Sequence, residues 1–74
     1  MSTEMLQLLN EEKHELEIKL RKVSYKIQNV NRYVKNPGNK SSILNALKTE
    51  RDSLTQQLGS IKHKIRTYYS TNNN

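Results

Sequence analysis

Two histidines, His14 and His63, and four carboxylates, Glu11, Glu12, Glu15 and Glu17, are the residues whose types could ligate a metal or move a proton. Their spacing serves neither purpose. The stretch HELEI carries one histidine where a zinc-protease helix needs a second one turn later. Both histidines lie off the apolar seam of the chain, as a solvated pair. The carboxylates share an exposed helix, which cannot withhold them from water as general acid–base work requires. The turn NPGN is too short to cradle a nucleotide phosphate, and there is no cysteine to supply a thiolate. The chain is therefore expected not to be an enzyme, with no catalytic residue, metal, cofactor or small-molecule substrate.

A second set of residues suits binding. Arg21, Tyr25, Gln28, Arg32 and Lys35 follow one another at helical spacing, flanked by Lys22, Lys26, Asn29 and Tyr33. Guanidinium and ammonium groups contact phosphates, amides reach sugars and base edges, and an aromatic ring between them can stack on a base. Tyr25 has no burial duty to explain its presence there. The charge is also one-sided. Residues 19–58 carry nine cations (Lys19, Arg21, Lys22, Lys26, Arg32, Lys35, Lys40, Lys48, Arg51) against Glu50 and Asp52, a net of +7, and the rest of the chain nets −1. A field of that kind attracts polyanions. The expected nucleic-acid contacts are Arg21, Lys22, Tyr25, Lys26, Arg32, Lys35 and Lys40. The alternative is an adaptor or inhibitor whose helices dock on a larger protein, the basic end meeting an acidic surface.

These residues need a scaffold to carry them. With Leu6 as heptad position a, the a and d places take Leu6, Leu9, Lys13, Leu16, Leu20, Val23, Ile27, Val30 and Val34. A restart at Leu44 gives Leu44, Leu47, Arg51, Leu54, Leu58, Ile61, Ile65 and Tyr68. Both are coiled-coil seams. Between them YVKNPGNKSS breaks the pattern: Pro37 forbids helix at Asn36, Gly38 can take positive φ, and Ser41 or Ser42 can cap the second helix. The expected fold is all-α, a two-helix antiparallel coiled-coil hairpin with helices at about 3–35 and 42–69, forming one unit over 1–70 with a disordered tail at 71–74. One continuous helix in a parallel dimer would have to cross Pro37-Gly38 at about 4 kcal/mol. Antiparallel pairing aligns the seams in two registers, with facing residue numbers adding to 81 (Val34 opposite Leu47) or to 74 (Val30 opposite Leu44).

A chain of 74 residues holds at most one small domain, and one core of that size seldom suffices alone. Dimerisation into a four-helix assembly is one way to complete it. The apolar cluster near the termini, Met5, Leu8, Tyr68 and Tyr69, is the expected oligomer or partner interface. Lys13 and Arg51 interrupt the seams where leucine would stabilise more, the usual place for a residue that fixes register. No apolar run exceeds two residues, which excludes a membrane span or a signal-peptide core. With no disulfide framework either, the expected location is the cytoplasm, nucleoid or nucleus, not outside the cell. One alanine against nine asparagines and nine lysines is the usage of an AT-rich genome, such as a phage's.

Overall fold

The computed structural model describes residues 3–72, apart from the side chains of residues 71 and 72. Two helices, α1 (Thr3–Tyr33) and α2 (Pro37–Asn72), lie against one another as an all-α hairpin whose Cα extents are 56 × 14 × 12 Å. No strand occurs among the described residues. Position by position, the seams explain why these segments pair. All seventeen a and d residues are buried or half-buried. Leu9, Leu16, Val23, Leu54, Leu58 and Ile61 form the buried core, with Leu20, Ile27, Leu47 and Ile65 packed against it.

The turn is tighter than expected. α1 stops at Tyr33 rather than about 35, and α2 starts at Pro37 rather than about 42 and runs to Asn72 rather than about 69. Of the expected disordered tail at 71–74, residues 71 and 72 continue the backbone of α2 instead, and residues 73 and 74 lie outside the described ones. Asn36, not Ser41 or Ser42, is the cap: its Oδ1 accepts the backbone N–H groups of Gly38 (3.0 Å) and Asn39 (3.2 Å). Its carbonyl accepts the N–H of Lys40 at 2.9 Å, the first bond of the helix. Pro37 then occupies the first helical position, where its missing N–H costs nothing and its fixed φ is already helical. Gly38 is an ordinary helical residue, without positive φ. At the other side of the turn, the Lys40 ammonium donates to the carbonyl of Asn31 at 3.2 Å, a cation on the carbonyl end of α1.

The turn also fixes the register. The sum of 81 would set Val34 opposite Leu47 in helix, yet Val34 lies in the three-residue connection. One flank of the hairpin holds a groove lined by Glu12, Glu15, Leu16 and Lys19 from α1 and Gln57, Ser60, Ile61 and Lys64 from α2. Along this groove residues 12–19 of α1 face residues 57–64 of α2, an offset that falls between the two sums.

Gly59 sits in the exposed middle of α2, and a Cβ there would meet nothing within 4 Å. Glycine frees the unfolded backbone and leaves helical backbone open to water, at about 0.8–1 kcal/mol relative to alanine. Gly59→Ala is therefore expected to raise the melting temperature by roughly 4–8 °C, read by circular dichroism at 222 nm. An unchanged or lowered midpoint would mean that a neighbour outside this chain occupies that space.

Candidate nucleic-acid interface

Arg21, Tyr25, Gln28 and Arg32 occupy the side of α1 turned away from α2, Lys35 lies in the three-residue connection beyond its end rather than on the helix, and all five are exposed. They are placed there by default. The seam takes Leu20, Val23, Ile27 and Val30, and the intervening positions, half-buried Asn29 apart, are left to water. Tyr25 is 65% exposed, in an open shallow depression walled by Arg21, Lys22, Ser24, Lys26 and Gln28. A ring so open, with cations on both sides, offers a stacking face within reach of phosphate-binding groups. Lys22, Lys26, Arg32 and Lys35 are exposed as well. Lys40 differs: it is half-buried and its ammonium is engaged with the Asn31 carbonyl.

The N-terminus of α2 lies at the loop end with its first N–H groups bonded to Asn36, and its first turn carries no acidic residue that would offset the cations there. α1 ends beside it with Arg32 in its last turn. A second depression at this end is lined by Pro37, Lys40, Ser41, Leu44, Asn45 and Lys48.

The end near the termini is less uniform than the charge count suggested. The groove flank gathers Glu12 and Glu15 with Lys19 and Lys64, whereas the opposite flank brings Lys13, Lys62 and Arg66 around Ile65 and Tyr69. This second basic cluster was missed from sequence. Its signal was present in the heptad positions, because residues 62, 66 and 69 fall on the same side of their seam. The only ion pair within 4 Å among the described residues is Arg51 Nε to Asp52 Oδ1, at 3.9 Å. Charges here shape a field more than they form contacts.

The four residues expected as an interface do not make one patch. Tyr69 lies on the Lys13/Lys62 flank, its ring meeting that of Tyr68 edge to face at 6.0 Å, and Tyr68 is half-buried in the seam. Met5 and Leu8 stand one heptad before Glu12 and Glu15, on the groove flank. His14 and His63 are both exposed, and no three His, Cys, Asp or Glu side chains come together among the described residues. No helix among the described residues is long and apolar enough to cross a membrane. Compared with known proteins, the chain matches no family model, and no curated protein or solved structure matches it significantly.

Proposed function

We propose that this chain is a non-enzymatic helical hairpin that binds nucleic acid through its basic loop end, with little sequence preference. The observation that carries this reading is the open row Arg21, Tyr25, Gln28, Arg32 and Lys35, in which a 65%-exposed tyrosine stands among cations on the half of the molecule holding the net charge of +7. α1 presents the first four of these groups at a fixed repeat and Lys35 follows in the connection, so phosphates set the affinity and the ring supports stacking that tolerates any base. Lys40 supports the interface by fixing the turn and adding to the field.

The test is fluorescence anisotropy with short single- and double-stranded DNA and RNA across a salt series. Binding is expected to weaken linearly in log Kd against log salt. Arg21→Ala/Arg32→Ala, with helicity unchanged, is expected to lower that slope by about 2 and to weaken binding at low salt by about tenfold or more. Tyr25→Ala is expected to weaken single-strand binding by about fivefold or more with the slope unchanged. Absence of binding even at low salt overturns the reading and leaves a hairpin that docks on a protein.

A further inference from the structure

Among the described residues, six large apolar side chains are between 40% and 68% exposed: Tyr25, Tyr69, Met5, Leu8, Tyr33 and Ile43. Tyr25 faces outward and Tyr69 lies on the Lys13/Lys62 flank, while Met5, Leu8, Tyr33 and Ile43 stand on the groove flank, at its two ends. Along α1, the positions one or two heptads from the groove residues Glu12, Glu15 and Lys19 run Met5, Leu8, Glu12, Glu15, Lys19, Lys22, Lys26, Asn29, Tyr33. About Lys19, which meets its own copy at the centre, the other charges of this series are antisymmetric, and Met5 and Tyr33 close it with apolar side chains at both ends. Met5 and Tyr33 lie equally far from it, as do Glu12 and Lys26, and Glu15 mirrors Lys22 within one residue. The same flank of α2 repeats the pattern about Gln57, level with Lys19: Glu50 mirrors Lys64, and the small Ser53 and Ser60 lie between.

We propose that this flank binds a second copy of the chain in an antiparallel, two-fold symmetric dimer, with the axis crossing at Lys19 and Gln57. A lateral two-fold lays α1 against α1 and α2 against α2 in reverse. Glu12 of one copy then meets Lys26 of the other, Glu15 meets Lys22, and Glu50 meets Lys64. Each end unites Met5 and Leu8 of one copy with Tyr33 and Ile43 of the other. An axis along the helices also pairs opposite charges, but it sets the two +7 segments side by side, whereas the antiparallel arrangement sends them to opposite ends of a 56 Å rod.

The rod has area to spare for a partner: it exposes 5803 Å², and a stable interface takes roughly 800 Å² from each copy. Because the interface engages Lys22 and Lys26, the row Arg21, Tyr25, Gln28, Arg32 and Lys35 stays outward in the dimer. The dimer does not rest on nucleic-acid binding, and its readout is mass.

Sedimentation equilibrium at about 1–100 µM protein tests it. The chain is expected at twice its 8.7 kDa mass. Glu12→Lys/Glu15→Lys makes the α1 flank wholly basic, and Lys22→Glu/Lys26→Glu makes it almost wholly acidic. Each variant alone is expected to dimerise at least about tenfold more weakly while staying helical, and an equimolar mixture to recover the dimer. Lys19→Cys is expected to cross-link to itself on mild oxidation, since only the antiparallel axis brings that position to its own copy. A monomeric wild-type chain, variants that dimerise as tightly as wild type, a mixture that recovers nothing, or Lys19→Cys that links only to Gln57→Cys would each overturn the proposal.

Discussion

Leu16→Ala/Leu58→Ala is expected to lose most of its helical circular dichroism at room temperature. The two leucines are a third of a core of six, and no polar group is buried to replace what they contribute. Truncating a buried leucine costs about 2–5 kcal/mol, from lost transfer energy and from the cavity left behind. Two helices crossing at one seam have no third layer to collapse into that cavity. The pair therefore loses roughly 4–10 kcal/mol, against a stability of about 4–11 kcal/mol expected for a chain of this length. Tyr25→Ala, which removes a larger side chain from an exposed position, is expected to change stability by less than about 0.5 kcal/mol. Thermal melts of the two variants decide between seam and surface as the source of stability. A cooperative transition in the double variant within a few degrees of wild type would show that the seam is not the main one.

The seam was legible because a coiled coil allows few alternatives. An apolar residue every three or four positions has only one face to cover, and each of the seventeen seam positions is indeed shielded. Among the described side chains of α2, Lys40 is the sole residue shielded outside the seam, because it reaches back to the Asn31 carbonyl. That contact crosses the turn, so no helical period encodes it. The start of α2 was misread for a related reason. Asn36, Ser41 and Ser42 are all good caps, and periodicity beginning at Leu44 favoured the nearer serines. Pro37 decides it by removing helix from Asn36 and entering the helix itself. Arg21, Tyr25, Gln28 and Arg32 of the candidate interface were legible as a face of α1. The separation of Met5 and Leu8 from Tyr69 was encoded as well, since they stand on opposite sides of their seams, but the shared nearness to the termini concealed it.

Lys13→Leu/Arg51→Leu is expected to stabilise the hairpin and to broaden what it assembles into. Both residues stand in the seam half-buried, as long side chains do when their stems cover apolar surface and their charges stay in water. The Arg51 side chain remains 42% exposed, and its one ion pair, to Asp52 at 3.9 Å, is too long and too solvated to hold it there. Lys13 lies in the same depression as Lys62 and Arg66, so leucine at that place removes a repulsion while adding apolar contact. Together the two changes are expected to contribute about 2–3 kcal/mol, or a rise of roughly 8–24 °C in melting temperature. What they remove is discrimination. A charged residue in each seam penalises any alignment that buries it against another apolar layer, whether by a one-heptad slip of the hairpin or by an opened chain pairing with a second. The double variant is accordingly expected to show a wider range of masses in sedimentation velocity than the wild-type chain. A variant that melts higher yet keeps the wild-type mass distribution would reduce the two charges to residues tolerated at a seam edge. Register would then rest on the three-residue turn alone.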